Sequence, residues 1–175
     1  LVVSLFTGPV TTTKIFALLK HPLTHSGGEF RNDHLVFVQS LELFFRTADV
    51  SIFSAESISI WLREVKNPYA SKWASWVCNI LEMFKLQDSH IFEEILDKHI
   101  EIANNLASGP NQNETNSSGG LWKQNNGHHC FKIIEKIKEA SPTAGSISAS
   151  RYADVFNSIL AEEHVPEINP THPYI

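Results

Sequence analysis

The chain has 175 residues, 42% of them hydrophobic, with a formal net charge of -5; that is apolar material for one ordinary core and makes no demand for two. Lys and Arg are spread singly from Lys14 to Arg151, which excludes the basic stripe that drives strong non-specific nucleic-acid binding. Cys78 and Cys130 each sit in an apolar helical pattern, which argues against a disulfide framework and for free thiols in a reducing, cytoplasmic compartment.

Leu1 to Phe6 is apolar but lacks a basic leader and is too short to span a bilayer, so neither a signal peptide nor a membrane anchor is expected there. Apolar residues then recur at spacings of three and four over most of the chain, the mark of helices. The first predicted helix runs from Thr11 to Lys20 with Ile15, Phe16, Leu18 and Leu19 inward, and His21-Pro22 ends it because a residue before proline avoids the helical region. Thr24 to Gly28 reads as a loop. A second helix, Arg31 to Arg46, carries Leu35, Val38, Leu41, Phe44 and Phe45. A third, Ser54 to Lys66, places Ile58, Trp61, Leu62 and Val65 together, with Ser54 as a capping group.

Asn67-Pro68 closes that helix and starts the next, whose Trp73, Trp76, Val77, Ile80, Leu81 and Phe84 make the widest apolar stripe and the best core candidate. Asp88 or Ser89 can cap a fifth helix reaching Ala107, with Ile91, Phe92, Ile95, Leu96, Ile102 and Leu106 on one face and Glu93, Asp97, Lys98 and Glu101 on the other. Ser108 to Gly120 is polar and has no side chains to offset the entropy of ordering, so a flexible loop is expected. After a break around Asn125 to Gly127, a sixth helix spans His128 to Ala140 with Phe131, Ile134 and Ile137 inward. The last, Ser148 to Glu163, presents Tyr152, Val155, Phe156, Ile159 and Leu160, and Pro166, Pro170 and Pro173 then force an extended tail over 164–175. The expectation is a single all-α domain over 1–175, irregular and of about seven helices.

No motif for chemistry stands out. Gly27-Gly28 and Gly119-Gly120 lack the lysine and spacing of a phosphate-binding loop, so no nucleotide site of that class is expected. His128-His129-Cys130 are adjacent on a helix, point in different directions and have no second pair at zinc spacing. His90, Glu93 and Glu94 lie one turn apart, so an acid-base or metal constellation is geometrically possible, but a solvated helix face is the expected reading. No Gly-x-Ser-x-Gly elbow supports a hydrolase. Asn113-Glu114-Thr115 and Asn116-Ser117-Ser118 match the glycosylation pattern, which matters only in a secreted chain. Trp61, Trp73 and Trp76 lie on apolar stripes and are expected in the core, whereas Trp122 reads as a loop anchor or a surface platform of the kind on which bases stack.

Three blocks carry a resemblance. Leu18-Leu19-Lys20-His21-Pro22-Leu23-Thr24 is followed by Arg31 and Leu41-Glu42; Leu121-Trp122 is followed by Gly127 and the helix from Phe131 to Ile137; Tyr152 to Leu160 is followed by Thr171-His172-Pro173. In this order they resemble the AddB family of bacterial double-strand break repair subunits, especially its alphaproteobacterial branch. The chain departs from that pattern at Tyr174, where arginine is usual, and at Arg46-Thr47, where the family has Leu-Arg-Gly. The resemblance implies that the chain is an excerpt of a longer protein, the helical 2B-type insertion of a superfamily 1 helicase-like region, consistent with an opening on Leu1 rather than Met.

It further implies a parent that pairs with an AddA-like subunit, processes DNA ends for homologous recombination, and carries an iron-sulfur nuclease outside this segment. For the segment itself the expectation is a non-catalytic accessory role, with no cofactor, metal, nucleotide, membrane or small-molecule substrate. Its contacts would be to DNA or the partner subunit, through Lys20, His25, Arg31, Lys72 and Lys123 at or near predicted helix ends. The competing expectation, favoured by the acidic balance, is a helical protein-interaction module with no direct DNA role.

Overall fold

The structure, a computed structural model, describes residues 1–26, 30–50, 52–85, 90–110 and 118–162. Among them the fold is all-α, as the periodicity predicts. Its helices are α1 (Thr12–Lys20), α2 (Arg31–Thr47), α3 (Ala55–Glu64), α4 (Pro68–Met83), α5 (Phe92–Ser108), α6 (Gln124–Ala140) and α7 (Ala149–Glu162). Two-residue strands β1 (His90–Ile91) and β2 (Ser146–Ile147) pair antiparallel and tie the start of α5 to the start of α7.

Local chemistry starts the helices. Thr11, Ser54 and Asn67 each take extended backbone, and their side-chain oxygens accept the N–H of Lys14, Ser57 and Tyr69. Those N–H groups have no partner within their own helices. Pro68 occupies the first turn of α4, where its missing N–H costs nothing. α1 stops at His21, which turns extended before Pro22.

α4 supplies the centre of the core. Trp73 is 1% exposed and packs its ring against Trp61 of α3, Phe37 of α2 and Trp76 of its own helix. A second aromatic group, Phe16, Phe45 and Phe53, closes α1 onto α2. A third joins the N-terminal 3-10 turn to α5 and α7, where Phe6, Phe92, Tyr152 and Phe156 surround His99. Burying rings of this size supplies most of the drive to fold.

Several expectations need correction. Ile91 lies in β1 and is half exposed rather than inward, because α5 begins at Phe92, whose N–H bonds to the Gly145 carbonyl. The proposed caps Asp88 and Ser89 lie outside the described residues, as do the centre of the 108–120 loop with both Asn-x-Ser/Thr matches, Gly27-Gly28 and the 164–175 tail. Leu35 is exposed; Phe37, one turn before Leu41, takes the inward place on α2. Phe131 is also partly exposed and leans on Trp122, while Ile133 joins Ile134 and Ile137 on the buried side of α6.

Asn125 to Gly127 is helical, not a break: α6 starts at Gln124. Gly127 is there for proximity. A Cβ on it would lie 2.7 Å from the Trp122 carbonyl carbon and 2.8 Å from the Leu121 carbonyl oxygen, so the incoming chain folds flat against the first turn. Gly127→Ala should therefore destabilise the protein by about 1–3 kcal/mol through backbone overpacking. An unobstructed helical glycine would instead gain about 1 kcal/mol from the same change. Urea unfolding of the two proteins distinguishes these signs.

Candidate functional site

The sequence-predicted contact residues fall into two groups. His25 and Arg31 meet at one corner, where the turn following α1 docks on the C-terminal end of α5. Lys20, Lys72 and Lys123 lie on the surface.

The last carbonyls of an α-helix have no partner within it. In α5 the Gly109 N–H (3.1 Å) and the Ser108 hydroxyl (3.2 Å) reach Asn105 O locally and the Trp76 indole adds to them (3.2 Å), whereas Leu106 O and Ala107 O are met from a distance, by the His25 N–H (2.7 Å) and the Ser26 N–H (3.0 Å). Gly109 ends the helix at φ +77°, and a Cβ there would sit 1.6 Å from His25 Cδ2. Only glycine lets the ring and the helix end approach this closely. Ser26 Oγ then accepts the Gly120 N–H (2.9 Å), and Trp122 donates to Asn104 Oδ1 (2.8 Å). Trp122 is thus a loop anchor, holding the segment after the polar tract against α5.

Arg31 faces inward across this corner. Its guanidinium donates to Thr24 O (2.7 Å) and His21 O (3.2 Å), closing the turn from the α2 side. His34, one turn further along α2, is 1% exposed with both ring nitrogens engaged. Its Nδ1 accepts the Trp73 indole N–H (3.0 Å), so Nε2 carries the proton and donates to Leu19 O (2.8 Å). Burial, opposed in part by the Leu19 bond, holds its pKa down to about 4. His25 is also 1% exposed, stacks on His34 at 5.3 Å, and has no hydrogen-bond partner for either ring nitrogen. Burial, then the nearby Arg31 charge, lowers its pKa. A ring held here cannot reach a phosphate, so His25 is a packing residue and leaves the set of surface contacts.

Lys20 pairs with Glu42, which also binds Arg46 (2.9 Å). This bridge borders a groove between α1 and α2 of about 610 Å³. The two cations hold the Glu42 carboxyl below its usual range, hydrogen bonding from Lys20 being the larger effect. Lys72 is exposed on α4, and Lys123 is exposed where the chain enters α6. Arg46 beside Lys20 was not among the sequence-predicted contacts; its spacing of four from Glu42 was the available signal.

A second surface was also missed. Val36 and Leu43 stand two turns apart on the outer face of α2, 61% and 66% exposed. Leu43 borders a groove of about 450 Å³ between α2 and α3, lined also by Phe44, Ala48, Trp61 and Val65. Two apolar residues seven apart, off the inward stripe, were the legible sign.

No family model, curated protein or solved structure matches the chain. The functional reading therefore rests on the geometry and on the blocks quoted from the sequence. Among the described residues no cluster of three or more His, Cys, Asp and Glu side chains could hold a metal ion, and no helix is long and apolar enough to cross a membrane. His128 is exposed on α6 while His129 and Cys130 are half-buried, and burial raises the thiol pKa of both Cys130 and Cys78. Glu93 is half-buried and Glu94 exposed at the start of α5.

His99 has a similar environment to His34. It bonds Tyr152 Oη through Nδ1 (2.9 Å), and burial lowers its pKa to about 4. Both histidines are neutral when folded and bind protons on unfolding once the pH is below about 6.5. Their contribution is complete above that value and is lost as the pH falls towards about 4. Unfolding free energy measured across this window should decline by about 1.4 kcal/mol per pH unit for each histidine, and His99→Leu should remove one such increment. A flat profile would contradict the buried neutral state.

Proposed function

We propose that this chain is a non-catalytic helical contact module that meets another protein, in the setting of an accessory subdomain of an AddB-like DNA end-processing subunit. The observation that carries it is the outer face of α2, where Val36 and Leu43 leave apolar surface in water and Leu43 borders the α2–α3 groove. Apolar residues exposed at a groove mark protein contacts more often than nucleic-acid contacts, which rely on phosphate-facing cations. Three of the cations are used otherwise: Arg31 holds backbone carbonyls, and Lys20 and Arg46 share Glu42.

The family setting is supported by the three ordered sequence blocks, and it suggests an AddA-like subunit or a neighbouring domain of the parent as the partner. Direct contact with DNA through Lys20, Lys72 and Lys123 is the second reading; the exposure of all three favours it.

Two titrations separate these readings. With an AddA-like subunit, the parent protein carrying Leu43→Glu should bind at least about tenfold more weakly than wild type, without loss of thermal stability, because Leu43 is mostly in water when unbound. With fluorescent duplex and forked DNA at low salt, the chain should show no saturable polarisation change. Binding that saturates and weakens steeply with added salt would replace the protein-contact reading with the DNA reading.

A further inference from the structure

The corner formed by α1, α2, α4 and α5 packs around one ring whose polar atoms it does not satisfy. His25 is buried with two unpartnered ring nitrogens, although a neutral imidazole always carries one N–H to donate and one lone pair to satisfy. Leaving such atoms without a protein partner is costly, and an apolar ring would fill the same space without that cost. The backbone is also unusual, with His25 in the left-handed region at φ +52°. Such conformations in a side-chain-bearing residue cluster where a structure must change state.

We propose that His25 is an acid-sensitive latch: in the neutral form it holds the 21–26 turn on the C-terminal end of α5, and protonation of its ring releases that turn. Among the described residues, the ring faces His34 and the Arg31 guanidinium from α2, and the uncharged Trp76 from α4. From the α5 end it faces Gly109. Beyond His34, its indole partner Trp73 and the Leu19 carbonyl occupy both nitrogens of that second ring. None of these neighbours is a carboxylate. A proton added to His25 therefore brings a second N–H without an acceptor and a positive charge beside Arg31, and both are relieved only by moving the ring into water.

The consequence follows from chain geometry. The ring and the N–H that bonds Leu106 O belong to the same residue, and the next N–H bonds Ala107 O. Expelling the ring withdraws both donors from the helix end. It also loosens Ser26 from Gly120 and opens the wall that Leu23 and Thr24 give to a cavity of about 220 Å³, shared with Leu106 and Leu121. The cavity would thus keep this wall near neutral pH and lose it in mild acid.

An NMR titration of the chain from about pH 7.5 to about pH 4.5 tests this. The His25 ring signals and the backbone amides of His25, Ser26 and Gly120 should move together, in one step whose midpoint lies below the ordinary histidine value, because burial and the nearby Arg31 charge oppose protonation. In His25→Phe that step should vanish from the amides of Ser26 and Gly120. If Phe is not tolerated at this backbone geometry, the coincidence of ring and amide transitions in wild type decides alone. An unchanged amide step in His25→Phe, or a His25 ring that titrates near about 6.5 while those amides stay still, would overturn the latch.

Discussion

The C-terminal carbonyls of α5 end inside the protein rather than in water, and a dry carbonyl without a donor is expensive. Leu106 O and Ala107 O are met by the backbone N–H groups of His25 and Ser26, and the Trp76 indole adds a bond to Asn105 O, which Gly109 and Ser108 also reach. That requirement draws the turn after α1 across the end of α5, and the Trp76 bond ties α4 to the same place. Arg31 braces the turn from α2, and His34 links α2 to α1 through Leu19 and to α4 through Trp73. Four helices thus converge on one polar knot, while the aromatic clusters on either side supply the apolar burial that offsets its desolvation.

The knot also sets the electrostatic character of the chain. Its histidines are kept neutral because burial outweighs what favours their charge, the Leu19 carbonyl at His34, and Arg31 is used on backbone oxygens. A net charge of -5 and cations occupied in this way leave apolar surface, rather than positive potential, as the feature most able to recruit a partner. The outer face of α2 is where such surface is exposed. Its distance in sequence from the knot is short: Val36 follows His34 by two residues, so one helix both organises the interior and presents the outward stripe.

The helices were legible because their signals are local. Apolar spacing marks the α4 stripe from Trp73 to Phe84, and Ser54, Asn67-Pro68 and His21-Pro22 state where helices start or stop. Errors arose where a residue answers to a distant neighbour. Gly127 looks like a helix breaker until Leu121 and Trp122 are seen lying against it. Phe131 fits an inward spacing, yet it turns to Trp122 on the surface. His25 looks like a basic loop residue, but its burial depends on Leu106, Ala107 and Gly109, more than eighty residues away. The candidate contact surface was harder still, since Val36 and Leu43 matter for what they do not touch.

Within this knot the buried bond from Trp73 to His34 couples α4 to α2. A double-mutant cycle on stability with Trp73→Phe and His34→Leu measures it directly. Each single change leaves a buried polar atom without its partner, so the pair together should cost less than the sum of the two, by about 1–2 kcal/mol. Free energies that add to within about 0.5 kcal/mol would mean that the two rings are neighbours without being partners, and would contradict the account.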